Sequence, residues 1–91
     1  MSKSKVYLAL QDNDDARYIV DAIVEDNPGA ILINQPAMIR IESETDLVVR
    51  RTTVEEKIGR DWDVQELHLS LITLGGNVDE DEDQLTLSWN V

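Results

Sequence analysis

The segment VYLALQDNDDARYIVDAIVEDNPGAILINQPAMIRIE, residues 6–42, decides the fold of the first half of this chain. It opens with a short apolar run, Val6–Leu10, that predicts a β-strand. Over residues 16–26 the apolar side chains recur at the spacing i, i+3, i+4 and i+7, which is the pattern of a helix buried along one face. Polar residues 12–15 supply N-cap candidates for this helix, and Asn27-Pro28-Gly29 ends it.

Two further strands follow this helix. Ala30–Ile33 is an apolar run, and Gln35-Pro36 breaks it. In Met38–Glu42 the two isoleucines, Ile39 and Ile41, fall on one face of a strand. The first half therefore predicts the order β-α-β-β.

The second half begins with a predicted strand at Leu47–Arg50. Thr53–Glu56 has the spacing of a capping box, and it predicts a short helix that ends at Gly59. Asp63–Glu66 repeats the capping box with aspartate as the cap. We expect a second short helical turn there.

Strict alternation of leucine with polar residues begins at Leu67 and predicts a strand. Leu85–Trp89 alternates in the same way and predicts the last strand. The second half thus predicts β-α-α-β-β. Together the halves predict an α+β fold, a two-layer sandwich of two halves, β-α-β-β and β-α-α-β-β, in one domain of residues 1–91.

The composition limits the class of protein and its partners. The 91 residues include no cysteine, so no disulfide, thiolate ligand or thiol nucleophile is available. A net charge of −11 disfavours nucleic acid and anionic membranes, and it favours a partner with basic or mixed charge. The apolar run after the basic start, Met1–Lys5, is too short for a secretion signal, and no segment could span a bilayer. We expect a cytoplasmic protein.

An acidic run follows the glycine pair Gly75-Gly76. Five consecutive carboxylates occupy Asp79–Asp83, and because like charges repel we expect a solvated hairpin loop over residues 75–83. A calcium loop that starts at Asp79 would need glycine at position 6 and glutamate at position 12, where the chain has Gln84 and Asn90. We therefore predict no metal site.

No pattern in the sequence indicates an enzyme. The single histidine, His68, is expected on the polar side of a strand, and alone it cannot build a histidine-rich metal site. The carboxylate pairs Glu55-Glu56 and Asp61/Asp63 are explained by helix capping. We predict no catalytic residue and no cofactor.

The strand before the glycine pair is the candidate binding surface. Its alternation slips, because Leu71 is followed by Ile72 and then by Leu74. An apolar residue out of phase marks either a β-bulge or an additional exposed apolar side chain. The second reading predicts an apolar contact surface bordered by small polar groups, which suits recognition of a partner.

Several segments, taken together and in order, resemble one protein family: the effector proteins, also called coupling or regulatory proteins, of bacterial multicomponent diiron monooxygenases. Within it the chain is most similar to the regulatory components of phenol hydroxylases. The segments that carry the resemblance are residues 11–14, 16–20, 25–28, 36–39, 53–57, 59–60, 63–66 and 76–83.

The resemblance implies a cofactor-free, non-catalytic protein that binds the diiron hydroxylase and raises the turnover and coupling of aromatic hydroxylation. An NADH-dependent reductase completes such a system. The resemblance also implies a hydroxylase-facing surface, which comprises Ser70, Ile72, Thr73, Leu74, Gly75, Gly76 and Asn27. Relatives carry hydroxyl residues where this chain has Ile72 and Leu74.

Three other functions are compatible with parts of the sequence. The first is a small-molecule-binding regulatory domain that acts without a hydroxylase. The second is an acidic decoy for a basic, nucleic-acid-binding protein, although several arginines interrupt the negative charge. The third is an enzyme, which the single histidine and absent cysteine disfavour.

Overall fold

A computed structural model of the chain describes residues 5–89. Helices and strands follow one another in this order: β1 Val6–Gln11, α1 Asp14–Asp26, β2 Ile31–Gln35, β3 Met38–Ser43, β4 Leu47–Arg50, α2 Arg51–Ile58, a 3-10 turn Val64–Glu66, α3 Leu67–Ser70, β5 Leu71–Gly75, β6 Asn77–Glu80 and β7 Gln84–Ser88. Asn90, the residue that fails position 12 of a calcium loop, lies outside the described residues.

The strands form two antiparallel sheets. A four-stranded sheet has the order β2-β3-β1-β5, and a three-stranded sheet has the order β4-β7-β6. The predicted α+β class is confirmed, but the division into two halves is not kept by the sheets, because β5 from the second half pairs with β1. The second half also contains one strand more than predicted, β6.

One hydrophobic cluster joins both sheets and α1. Leu8 and Ile41 contribute from the four-stranded sheet, Leu85 from the three-stranded sheet, and Ile19 and Ile23 from α1. All five side chains are excluded from water. Burial of aliphatic side chains at roughly 1.5–3 kcal/mol each is the main source of stability in a chain without phenylalanine or disulfides.

The sequence pattern of α1 explains its ends. Asn13 is the N-cap, and its side chain accepts a hydrogen bond of 2.8 Å from the backbone N–H of Ala16. Asp14 and Asp15 in the first turn favour the positive end of the helix dipole. The helix stops at Asn27, directly before Pro28, as predicted.

The prediction that a strand begins at Leu67 is wrong, because the strand, β5, begins at Leu71. Leu67–Ser70 is a short helix that continues the 3-10 turn capped by Asp63, whose predicted capping box with Glu66 is confirmed. The leucines at 67 and 71 fit a helical i, i+4 spacing as well as a period of two. Leu69, which only the strand pattern would bury, is 78% exposed.

The helix predicted from a Thr53 cap begins earlier, at Arg51. Strand β4 runs directly into α2, and the Arg51 N–H donates to the carbonyl of Asp83 in the acidic turn. Thr53 is buried inside the helix and does not cap it, and the residue at the N-cap position, Arg50, makes no side-chain cap hydrogen bond. The Glu55 carboxylate accepts a hydrogen bond from the Trp62 N–H. Tertiary contacts thus replace the local cap.

The predicted acidic loop is only partly a loop. Asn77–Glu80 pairs with β7 as an edge strand, and the turn is confined to Asp81–Asp83. The Asp81 carboxylate accepts hydrogen bonds from the N–H groups of Asp83 and Gln84, which closes this turn. An exposed edge strand tolerates acids, and its charge protects it from pairing with other chains.

Candidate partner-binding surface

Strand β5 forms one edge of the four-stranded sheet and pairs within that sheet only with β1. The register shifts opposite Ala9 and Leu10, so the predicted bulge is present. Ile72 lies at this shift and is 48% exposed. Both readings of the slipped alternation therefore hold: the strand is irregular, and it presents an apolar side chain to solvent.

The structure divides the predicted interface residues of this strand into exposed and buried ones. Ile72 and Thr73 are exposed. Ser70 is 7% exposed, so its side chain is not free to contact a partner. Leu74 is half-buried and packs against the core, so only part of its side chain faces solvent. Leu69, which the strand pattern predicted to be buried, is 78% exposed, against 48% for Ile72. Helical spacing around Leu67 was the signal that could have placed Leu69 outside.

Gly75 is buried under the ring of Tyr7. A Cβ on Gly75 would lie only 2.6 Å from Cδ1 of Tyr7, so the close approach of this ring requires glycine. The Arg40 guanidinium lies 4.1 Å from the centroid of the same ring, and its Nε donates to Glu42 at 2.7 Å. This stack fixes the shape of the outer sheet face next to β5.

Gly76 connects the two sheets. Its φ of +132° lies in a region that side-chain-bearing residues rarely adopt, and it lets the chain pass directly from β5 to β6. A Cβ there would lie 3.1 Å from Cγ1 of Val6 and 3.5 Å from the carbonyl of Ser88. Gly76 therefore has a structural reason to be glycine.

Asn27 is separated from this strand and ties α1 to β4. Its amide donates to the carbonyls of Ile23 at 2.7 Å and Val48 at 2.8 Å, and its oxygen accepts from the Val48 N–H at 3.0 Å. Both polar atoms of the side chain are thus engaged inside the protein. Asn27 can shape a binding surface by fixing the position of α1, but its side chain has no unbonded polar atom with which to contact a partner.

Most basic side chains on the acidic surface are paired locally. Lys57 donates to Glu25 at 2.8 Å, and Arg17 donates to Asp12 at 2.9 Å. The hydrogen bond to Glu25 raises the pKa of Lys57, and the one to Asp12 raises the pKa of Arg17. The surface consequently presents unpaired carboxylates more than free cations, which favours an encounter with a basic region.

Within residues 5–89, no three histidine, aspartate or glutamate side chains come together as a group that could hold a metal ion. His68 is paired with Glu80, with 2.8 Å between Nε2 and Oε1. A cleft of about 480 Å³ is open to solvent and lined by Arg51 and acidic residues beside Trp62. No helix in the described part of the chain has the length and apolarity to cross a membrane.

Known proteins resemble this chain over nearly its full length. The family model described as the MmoB/DmpM family matches residues 4–88. The stimulatory component DmpM of phenol 2-monooxygenase from Pseudomonas sp. (strain CF600) is 60% identical over 86 residues, which are 94% of this chain and 96% of that protein.

Two solved structures are similar to the fold. A chain in a structure described as the phenol hydroxylase–regulatory protein complex is 55% identical, with a TM-score of 0.91 over 96% of this chain and 100% of that one. The soluble methane monooxygenase regulatory protein B shares the fold at 16% identity, with a TM-score of 0.77 over 100% of this chain and 70% of that one. From the family match and the 60% identical relative, we conclude that this chain belongs to the MmoB/DmpM family.

Proposed function

We propose that this protein is a non-catalytic, cofactor-free stimulatory component of a phenol hydroxylase-type diiron monooxygenase. The observation that carries the proposal is the 60% identity, over 94% of the chain, to a stimulatory component of phenol 2-monooxygenase. The similarity to a chain of a phenol hydroxylase–regulatory protein complex supports the same partner. The full chain, residues 1–91, would act as one effector domain. A cytoplasmic location belongs to the same proposal, since the electrons of such a system come from NADH through a reductase.

The hydroxylase-facing surface of the proposal is centred on β5. Ile72 and Thr73 supply the exposed side chains, and Leu69 adds apolar area from the preceding turn. The buried or core-facing members of the predicted set on or next to this strand, Ser70, Leu74, Gly75 and Gly76, hold the strand in place, and Asn27 holds α1 against β4. Exposed apolar side chains beside a small hydroxyl residue provide the apolar centre and polar border of a protein interface.

The mechanism requires differential binding. An effector can shift the hydroxylase toward a reactive state only by as much as it binds that state more tightly than the resting one. A strand fixed at one side by β1 and at its end by Gly76 offers a preformed surface that discriminates between two shapes of the partner. The acidic surface contributes mainly to the rate of encounter.

The deciding experiment is steady-state phenol oxidation by the hydroxylase and reductase, with and without this protein. We expect the protein to raise both turnover and the ratio of product formed to NADH consumed. Unchanged values of both would refute the proposed function. A saturable thermal shift of this protein by phenol, without hydroxylase, would favour a small-molecule-binding domain instead.

Substitution of Ile72 tests the proposed surface. Ile72→Asp places a charge at the centre of the interface and should weaken hydroxylase binding at least about tenfold, as for a hot-spot residue. The matched control is Val78→Asp, because Val78 is similarly exposed but lies on the edge of the other sheet. Equal binding by both variants, with unchanged unfolding curves, would contradict the placement of the interface on β5.

A further inference from the structure

Strand β2, at the opposite edge of the four-stranded sheet from β5, lacks the usual protection of an edge strand. It pairs within the sheet only with β3. Its five residues, Ile31–Gln35, carry no charge, and Ile31 and Leu32 are 49% and 44% exposed. The edge strand β6, in contrast, carries Asp79 and Glu80. Uncharged edges with exposed apolar side chains are templates for the addition of another strand.

A groove lies beside this edge, between α1 and β2. Its volume is about 310 Å³. Val20, Leu32 and Ile39 provide apolar lining, and polar residues surround them. Val24, one helical turn beyond Val20, adds an exposed apolar side chain on the same side of α1. A strand added to β2 would therefore have a cavity available for one of its aliphatic side chains.

The charges at the groove favour a basic occupant. Asp12, Arg17 and Asp21 are the ionic side chains that line it. Arg17 is neutralised by Asp12 at 2.9 Å and approaches Asp14 at 3.5 Å. Asp21 forms no ion pair with any residue of the described range 5–89. An incoming lysine or arginine thus meets an available carboxylate, while the cation of the groove is already paired.

We propose that the β2 edge and its groove bind an extended segment of a partner protein in which a lysine or arginine stands two residues from an aliphatic residue, so that both side chains project from the same face of the added strand. The segment adds a strand to β2, an aliphatic side chain enters the groove at Leu32, and a cationic side chain pairs with Asp21. A second copy of this chain suits the site less well, because each copy carries a net charge of −11 and the two acidic grooves would approach each other. The site is separate from the β5 surface, so both can be occupied together.

The probe is a synthetic six-residue peptide, acetylated and amidated, in which isoleucine and lysine take turns at every second position and threonine fills the positions between them, so that isoleucine and lysine share one face of the strand. It is titrated into the uniformly ¹⁵N-labelled full-length protein. We expect saturable shifts of the amide signals of residues 30–35 and of Val20 and Val24, with slowed amide exchange along β2. A peptide with glutamate in place of lysine should bind at least about tenfold more weakly.

Two matched variants locate the site. Leu32→Lys fills the groove entrance with a like charge and should weaken lysine–isoleucine peptide binding at least about tenfold. Val78→Lys makes the same change on the acidic edge strand β6 and should leave the affinity within about twofold. Urea unfolding of both variants verifies that the fold is kept.

Three results would overturn the proposal. The first is a set of shifts centred on β6 and the Asp81–Asp83 turn, which indicates general attraction to acids. The second is equal weakening by Leu32→Lys and Val78→Lys. The third is a concentration-dependent signal at β2 without peptide, which indicates that a second copy occupies the edge. Each result is independent of phenol oxidation, so the proposed stimulatory function stands or fails separately.

Discussion

Replacement of Asn27 by alanine tests whether this side chain is a structural tie. Asn27→Ala removes three hydrogen bonds, to the Ile23 carbonyl and to the carbonyl and N–H of Val48, all part-buried. At about 0.5–1.5 kcal/mol net for each bond, discounted for partial exposure, the loss of unfolding free energy should be about 2–3 kcal/mol. Two of the bonds join the end of α1 to β4 and the third closes the last turn of α1, so the loss falls on the helix end and on its packing against β4.

Urea unfolding measures this loss. With a slope of roughly 1–1.5 kcal/mol/M for a chain of this size, the midpoint should fall by about 2 M at an unchanged slope. Thermal unfolding should shift downward by about 10–20 °C. The control is Asn34→Ala, because Asn34 is exposed on β2. A change below about 0.5 kcal/mol is expected there, as for ordinary surface substitutions.

Asn27→Asp separates the donor bonds from the acceptor bond. The carboxylate can still accept a hydrogen bond from the Val48 N–H. It cannot donate to the carbonyls of Ile23 and Val48, so oxygen would face oxygen there, and it adds negative charge at the C-terminus of α1. We expect at least the destabilisation of Asn27→Ala at pH 7. Below about pH 4 the protonated acid can donate one bond, so its deficit relative to the wild type should shrink.

Two outcomes would refute the reasoning about Asn27. One is a stability loss in Asn27→Ala no larger than in Asn34→Ala. The other is a fully folded Asn27→Ala protein with a lower maximal stimulation of the hydroxylase than Asn34→Ala, which would mean that Asn27 contacts the partner directly. We expect maximal stimulation to be equal for the folded forms, because the polar atoms of Asn27 are satisfied internally.

Three further predictions concern the outer sheet face, a turn and an ion pair. Gly75→Ala forces the Tyr7 ring aside and should cost about 1–3 kcal/mol in urea unfolding, as overpacking does; an unchanged midpoint would contradict the close ring contact. Ala37→Gly should raise the free energy of unfolding by roughly 0.5–1 kcal/mol in the same measurement, because Ala37 has a φ of 62°, which glycine adopts without the steric cost of a Cβ. A lower free energy of unfolding would count against this conformation. The raised pKa of Lys57 means that its pairing with Glu25 stabilises the fold below the unfolded pKa of about 10.5 and is lost as pH rises through the folded value. Glu25→Gln should lower that pKa in an NMR titration, and an unchanged value would exclude the pair in solution.

Helix α1 and the strands of the first half were predictable because their signals are local. The stripe of apolar residues along α1, the Asn13 cap and the Asn27-Pro28-Gly29 stop act within a few residues of one another. Alternation in β3 places Ile39 and Ile41 on the buried face for the same reason. The α+β class follows from these elements. The family was recognisable from ordered short segments, each weak alone.

Elements whose ends depend on distant contacts were predicted less well. The start of α2 depends on a hydrogen bond from Arg51 to Asp83, which is more than thirty residues away in sequence. The first two carboxylates of the acidic run, Asp79 and Glu80, belong to β6 because β7 supplies a partner strand, although the charges of the run alone favour a loop. The sequence near Thr53 favours a local cap, and the charges of residues 79–83 favour a loop. The hydrogen bond from Arg51 to Asp83 and the pairing of β6 with β7 outweigh these local preferences.

The candidate surface on β5 also has one feature that local sequence predicts and others that depend on distant contacts. The sequence by itself located an irregularity at Ile72, because a slip in alternation is visible in one strand. It could not distinguish helix from strand at Leu67–Ser70, since the leucines fit both periods, and so it misplaced Ser70 and missed Leu69. Only the tertiary structure decided which of these side chains reach solvent, because exposure depends on the neighbours that β1, Tyr7 and the core provide across the fold.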